Sequence, residues 1–540
     1  MLEQQLEKYF KLNQFRPGQK EIIEAILDGK DTVALMPTGG GKSLCYQLPA
    51  ILQDKLTIII SPLIALMKDQ VDGLNARGVA ATFINSSISV AEIQSRMEKI
   101  LAGEIKILYV APERLDALRA NKFFSDLTVS LLAVDEAHCV SQWGHDFRPD
   151  YLQIKEYIRS FKSRPTVAAF TATATPEVKQ DIMDRLGMVS PVVFTSGFDR
   201  PNLKFFVQKD IKPKQRVDEV LRLVKSIEGS GIVYALTRKE TEAIADHLNR
   251  HGIGAAAYHA GMVGGRREKI QDEFMENKHK VIVATIAFGM GVDKADIRFV
   301  IHSGMPRNME GYYQEAGRAG RDGEPAYCVL LHSKKDVTVH NHFIFLDRHG
   351  MLSQGKSWEE TNQLINLKKD KLEKMVEYAT ADTCRRKMIL EYFNDPAARQ
   401  LNHDCQGCDV CLEWEKNSRL PDEKEIPDQV GNDGNLVELS ETVAQTINLY
   451  KQNYSMEQIA KARSLGESTI FGHLIKWYLA GGEIDLDNMI TRDEENLILS
   501  AMAAADDYRF LSAIKRHLPE EIGYEKIKLV LAKIKRIELH

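Results

Sequence analysis

At 540 residues with 44% hydrophobic content, the chain has room for three or four domains with real cores. A formal net charge of −5 argues against a protein that coats nucleic acid through bulk positive charge, so any such contact must be local. Seven cysteines are too sparse for a disulfide scaffold, no run of about 18 apolar residues exists, and Met1 to Lys8 lacks the basic start and apolar stretch of a secretory signal; the expectation is a cytoplasmic protein, nucleoid-associated if bacterial, with no membrane partner.

The first lobe is expected over residues 1–205. Apolar runs at 32–36, 56–60, 107–110, 131–134 and 167–170 lack alternation, as strands buried on both faces do, and helical patterns separate them. The reading is a doubly wound parallel sheet, whose ligands bind beyond the carboxyl ends of the strands. The first run leads into Thr38-Gly39-Gly40-Gly41-Lys42-Ser43. Three glycines can adopt angles that let their N–H groups converge on an anion at a helix N-terminus. Lys42 would reach the β- and γ-phosphates and Ser43 a Mg2+ ion. The strict P-loop pattern is not met, because Met36 stands where it has its first glycine.

Asp135 and Glu136 end the fourth run. Two carboxylates there are expensive unless a cation or a proton transfer needs them. With a phosphate loop in the same sheet, Asp135 is assigned to Mg2+ and Glu136 to orienting and deprotonating the attacking water. Directly after them come Trp143, Phe147 and Arg148 within six residues, interleaved with Gly144, His145, Asp146 and Pro149. That composition supplies stacking surfaces for unpaired bases and a phosphate or cation–π contact.

Phe15-Arg16-Pro17-Gly18-Gln19, the glycine loop, Ser61-Pro62-Leu63, Asp135-Glu136-Ala137-His138 and Thr171-Ala172-Thr173 stand in the order seen in superfamily 2 helicases. The stretch from Cys139 to Pro149 resembles the RecQ family of DNA helicases more narrowly. The resemblance implies an aromatic-rich loop linking DNA binding to ATP hydrolysis, with Trp143, His145, Phe147 and Arg148 at its matching positions. It also makes Arg16 and Gln19 adenine readers. Asn13 departs from it, standing where many relatives place an aromatic residue that stacks on the base.

A second RecA-like lobe is expected over 206–345 from apolar runs at 232–236, 255–258, 281–284 and 299–302, with no phosphate loop of its own. The segment from Gln314 to Gly323 resembles the family's sixth motif. Arg318 and Arg321, three apart, are expected on one face of a short helix, meeting the γ-phosphate as the lobes close. By the same resemblance, His259 and Gly289 lie in segments that contact the tracking strand or the cleft.

A helical zinc-binding subdomain is expected over 346–416. Cys405, Cys408 and Cys411 follow Cys-x-x-Cys-x-x-Cys spacing and Cys384 precedes them, a set that closes a tetrahedral Zn2+ site with no open position. An iron–sulfur cluster is the competing reading, and the family has the same arrangement. Residues 417–435, polar with Pro421, Pro427, Gly431 and Gly434, read as a linker. Over 436–540 the pattern around Ala460, Gly466 and Ile470 predicts a helix-turn-helix or winged-helix-like helical domain. This last region counts 13 Lys and Arg against 16 Asp and Glu, so DNA binding there would fall to the basic stretch 509–536.

The whole implies an ATP- and Mg2+-dependent 3′ to 5′ DNA helicase containing Zn2+, serving recombination and repair. Its partners would be single-stranded DNA and single-strand/duplex junctions, with a monomer favoured. An RNA helicase and a nucleotide-gated binding module are the alternatives.

Overall fold

The computed structural model describes residues 2–37, 39–120, 127–144, 146–286, 288, 294–401, 405–414, 441–452, 454–463, 465–479, 482, 484, 489–504, 514, 515, 517–519 and 521–538. Thr38, His145, Gly289 and the linker expected over 417–435 lie outside them. The chain divides into two units: one holds both sheets and the cysteine subdomain, and the other holds the C-terminal helices.

In the larger unit, strands β1 (Thr32–Leu35), β2 (Leu56–Ile60), β3 (Ala81–Ile84), β4 (Ile107–Val110), β5 (Val129–Val134), β6 (Thr166–Thr171) and β7 (Val192–Thr195) form a parallel sheet in the order β3-β4-β2-β5-β6-β1-β7. Strands β1, β2 and β4 are buried along their whole length, because helices cover both faces. The edge strand β7 is different: its residues alternate between half-buried and exposed, and its apolar run is only Val192 to Phe194. The order sets β5, β6 and β1 side by side. Asp135 and Glu136 after β5, Thr171 at the end of β6 and the glycine loop after β1 therefore share one edge of the sheet.

The second sheet runs β10-β11-β9-β12-β13-β8, all parallel, from β8 (Leu203–Gln208), β9 (Ser230–Tyr234), β10 (Ala255–Tyr258), β11 (Val281–Ala284), β12 (Ile297–His302) and β13 (Ala326–Leu331). Strand β8 straddles residue 205, where the sequence places the end of the first lobe, and pairs with β13 in the second sheet. Lys204 interrupts its apolar run, which hides it from a pattern search. As an outer strand it needs cover. The cysteine loop supplies it: Phe205 N–H donates to Gly407 O at 2.9 Å and Asp409 N–H to Phe205 O at 3.0 Å.

Helices Lys334–Ser353 and Trp358–Thr380 form a long hairpin, followed by helix Arg385–Tyr392. The smaller unit carries helices Glu441–Lys451, Met456–Arg463, Glu467–Leu479, Arg492–Ala504 and Tyr524–Glu538. Its helix-turn-helix pair is capped by Ser455, which accepts from Gln458 N–H at 3.2 Å while Gln458 reaches back to Ser455 N–H at 2.9 Å. Ile459, Ala460, Leu465 and Ile470 pack together where the two helices meet. Among the described residues, no helix is long and apolar enough to cross a membrane.

Candidate nucleotide site, aromatic loop and metal centre

Met36, the residue that breaks the strict P-loop pattern, is buried in the core, with Cys45 Sγ 3.8 Å from its sulfur. The turn after it relies on Gly39 (φ 82°) and Gly41 (φ 79°), both in the left-handed region that other side chains resist. Gly41 caps helix Lys42–Leu52, so Lys42 and Ser43 occupy its first turn, where the backbone N–H groups favour an anion. Gln19 braces this turn: its amide nitrogen donates to Gly40 O at 3.1 Å and Gly41 O at 3.3 Å. Its carbonyl accepts from Arg16 N–H at 2.9 Å, and the Arg16 guanidinium bonds Gly39 O. Arg16, Gln19 and the glycines are thus one assembly, and Asn13 stands exposed beside them.

Across from Lys42 is Glu136, with Lys42 Nζ 3.7 Å from Glu136 Oε1. Glu136 adopts φ 47°, an uncommon conformation for a residue with a side chain, at the sharp bend between β5 and a short helical turn. Its other carboxylate oxygen lies 3.3 Å from His138 Nδ1, which is 2.9 Å from the Thr171 hydroxyl. Thr171 in turn accepts from Thr173 N–H. Asp135 is buried, and burial together with the neighbouring Glu136 charge pushes its carboxyl up to about 7, with Lys42 opposing. A repelling, desolvated carboxylate pair of this kind fits a divalent cation, and Ser43 and Asp135 are the side chains that would hold it.

The second lobe meets this site through Arg321. A β-carbon placed on Gly39 would lie 3.0 Å from Arg321 Cγ, so the arginine stem rests on the glycine turn. Arg318 is buried against Tyr234. The sequence reading put both arginines on a helix. They instead lie in the turns beyond helix Met309–Ala316, because Gly317 ends it and Gly320 takes φ 56° while donating to Ile297 O at 2.9 Å. What positions these turns was not read from the sequence. Arg200 donates to Ala319 O at 3.0 Å and Gly320 O at 2.8 Å, and Asn202 donates to Gly320 O at 2.8 Å. No periodic signal marks either residue.

The aromatic loop hangs directly from the carboxylates. Gly144 is forced by a close approach, since a β-carbon there would sit 2.5 Å from His138 O. Ser141 Oγ bridges Trp143 N–H (3.2 Å) and Asp181 (2.7 Å), holding the turn so that Trp143 stays 43% exposed while Phe147 is half-buried. Arg148, expected to make a phosphate or cation–π contact, pairs with Asp146 at 3.0 Å. His259 is likewise buried, with Glu242 at 3.1 Å.

The sulfurs of Cys384, Cys405, Cys408 and Cys411 all lie within 4.8 Å of one another. Tetrahedral zinc bonds of about 2.3 Å demand sulfurs about 3.8 Å apart, so the cluster suits that ion. Hydrogen bonds from Cys405 and Cys408 pull the Cys384 thiol down while the same crowding drives Cys405 up. Arg385, fully buried next to Cys384, locks the loop through Asp409 at 2.9 Å.

Fold and site define a two-lobed P-loop protein of the helicase type, with a four-cysteine subdomain added. Family models agree: DEAD/DEAH box helicase over residues 16–182, Helicase conserved C-terminal domain over 214–323, RecQ zinc-binding over 334–412 and Helix-turn-helix domain over 442–531. The chain is 43% identical over 409 residues to the ATP-dependent DNA helicase RecQ of Pasteurella multocida, covering 76% of this chain and 62% of that one. It is also 43% identical over 391 residues to the RecQ of Bacillus subtilis, covering 72% and 64%. Against the RecQ-like DNA helicase BLM of Xenopus laevis it is 41% identical over 440 residues, 79% of this chain and 31% of the other. The chain belongs to the RecQ family, and it spans under two thirds of the length of these relatives. Its fold resembles the DUF1998 helicase MrfA bound to DNA and AMPPNP (TM-score 0.53, 21% identity, 64% of this chain and 52% of that one). It also resembles the Mycobacterium smegmatis helicase Lhr bound to ssDNA and AMP-PNP (TM-score 0.50, 19% identity, 71% and 58%).

Proposed function

We propose that the chain is an ATP-dependent DNA helicase that moves 3′ to 5′ on a single strand, acts on tailed and forked junctions as a monomer, and serves recombination and repair. The observation that carries this reading is the meeting of Lys42, Glu136 and Arg321 around one glycine turn, with an exposed Trp143 suspended from the same carboxylates. Its relatives named as ATP-dependent DNA helicases support the choice of DNA.

In this reading Gln19 and Arg16 select adenine and hold the glycine turn in shape. Backbone N–H groups at the start of helix Lys42–Leu52 and the Lys42 ammonium bind the β- and γ-phosphates. Mg2+ held by Ser43 and Asp135 would neutralise charge on those phosphates. Glu136 takes the proton from the attacking water, and His138 and Thr171 keep its carboxylate turned toward it. Arg321 and Arg318 stabilise charge on the transferred phosphoryl group, which ties turnover to closure of the lobes. Trp143 and Phe147 stack unpaired bases, so a step at phosphate is felt by the strand. Zn2+ on the four cysteines serves folding, because a closed thiolate set leaves no position for substrate.

The test compares ATP turnover with single-stranded DNA and with RNA, and unwinding of 3′-tailed against 5′-tailed duplexes. Stimulation by DNA and unwinding of the 3′-tailed duplex are expected. Stimulation by RNA alone overturns the choice of substrate, and no turnover with either overturns the motor.

A further inference from the structure

Lys371, near the middle of helix Trp358–Thr380, joins parts of the molecule that the mechanism needs to act together. Its ammonium donates to the backbone carbonyl of Trp143 at 2.7 Å and to Glu310 Oε1 at 2.6 Å. The pair is enclosed: the Lys371 side chain is 13% exposed and that of Glu310 3%.

Each acceptor leads toward the glycine turn and its carboxylates. Trp143 follows His138 by five residues, and His138 touches Glu136. Glu310 stands in the first turn of helix Met309–Ala316, fixed at its start by Asn308, whose side chain accepts from Gly311 N–H at 2.8 Å. That helix runs into Gly317 and then Arg318 and Arg321, and Arg321 rests on Gly39. The contacts close a ring: Glu136, His138, the aromatic loop, Lys371, Glu310, the arginine turns, the glycine turn, Lys42 and Glu136 again.

The geometry points to Lys371 as a positioning residue, a latch that makes the place of the aromatic loop depend on the place of the arginines. This rests on the helicase reading above. An ammonium has three donors and no acceptor, and here two of them meet a carbonyl and a carboxylate in a spot with little room for replacement water. If the loop shifts as a base stacks on Trp143, the ammonium loses a partner, and its remaining attraction to Glu310 is redirected along a rigid helix toward Arg318 and Arg321. Neither composition nor spacing reveals this, since 228 residues separate Lys371 from Trp143 and 61 from Glu310.

The experiment uses the full chain with Lys371→Met, which keeps an apolar stem and removes the charge, and Lys371→Arg, which restores it. For Lys371→Met the ratio of DNA-stimulated to basal kcat is expected to fall about tenfold while basal kcat and KM for ATP stay within about twofold. Lys371→Arg should recover most of the ratio. Basal and stimulated rates falling together would mean a merely structural lysine, and an unchanged stimulated kcat with weaker DNA affinity would mean a phosphate contact; either overturns the latch. Hydrogen exchange without polynucleotide separates this failure from that of the helicase reading. Peptides covering 141–148 should exchange faster in Lys371→Met while those covering helix Lys42–Leu52 do not change. Unchanged exchange at 141–148 overturns the latch. Faster exchange in a chain whose wild type ignores DNA keeps the tie and removes the helicase.

Discussion

Lys42 Nζ and Glu136 Oε1 stand 3.7 Å apart at the carboxyl edge of the first sheet, each side chain mostly shielded from water. The lysine comes from the turn after β1 and the glutamate from the bend after β5, with only β6 between them. A cation and a carboxylate held this close, with phosphate-binding N–H groups alongside, can share the work on one phosphoryl group. Glu136→Gln keeps the shape and removes the base. Turnover is expected to fall by about two to four orders of magnitude while nucleotide still binds. Steady-state hydrolysis and titration with a fluorescent nucleotide check it, and undiminished turnover would take Glu136 out of the mechanism.

Asp135 gives a pH dependence whose sign follows from its surroundings. Burial and Glu136 raise its carboxyl from 3.8 to about 7 in the folded chain. A group raised on folding favours the native state while protonated. Its contribution is complete below about pH 4 and is lost as pH climbs through about 7, amounting to no more than about 4 kcal/mol. Asp135→Asn should therefore raise Tm at pH 8 more than at pH 5 while abolishing turnover. A Tm that drops equally at both values would show that the charge is not what the fold opposes.

Trp143 is large and exposed, and its indole is not needed to complete the core. For Trp143→Ala, basal hydrolysis should persist within about twofold and stimulation by single-stranded DNA should fall about tenfold or more, since one base stack is worth about 1 to 3 kcal/mol. Normal stimulation would mean that the loop does not report strand binding.

Cys408 is fully buried in the cluster and lies against Phe205 of the outer strand β8. The purified chain should carry about one zinc per molecule. Cys408→Ser should lose it, lower Tm and promote aggregation, because the cysteine loop no longer covers the strand edge. Elemental analysis with a thermal melt decides this, and iron with a visible absorption band would assign the cluster instead.

The glycine turn, the paired carboxylates, the aromatic loop and the cysteine spacing were legible because each is local: its chemistry is spelled by residues within about a dozen positions. Strands β2, β4 and β11 were legible for a related reason, since burial on both faces leaves an uninterrupted apolar run. Strands β3, β7 and β8 at the sheet edges were not, because Thr82, Thr195 or Lys204 stands among their apolar residues. Arg318 and Arg321 were found through resemblance to the family's sixth motif but placed on the wrong kind of element, because the turns beyond Gly317 are held by Arg200 and Asn202, which come from far earlier in the chain.

By itself the sequence determined that two parallel-sheet lobes share one phosphate turn, that carboxylates follow a buried strand beside it, and that three closely spaced thiols lie in one loop with a fourth ahead of them. Only the tertiary structure decided which other side chains the candidate residues meet, as Arg148 meets Asp146 and His259 meets Glu242, and which unmarked ones hold the turns and loops of the site, as Arg200 and Lys371 do. The reason is physical. Backbone conformation and ligand spacing are set by neighbours along the chain, whereas the partner of a long charged side chain is whichever acceptor the packing brings within about 3 Å, and packing is settled by the whole fold at once.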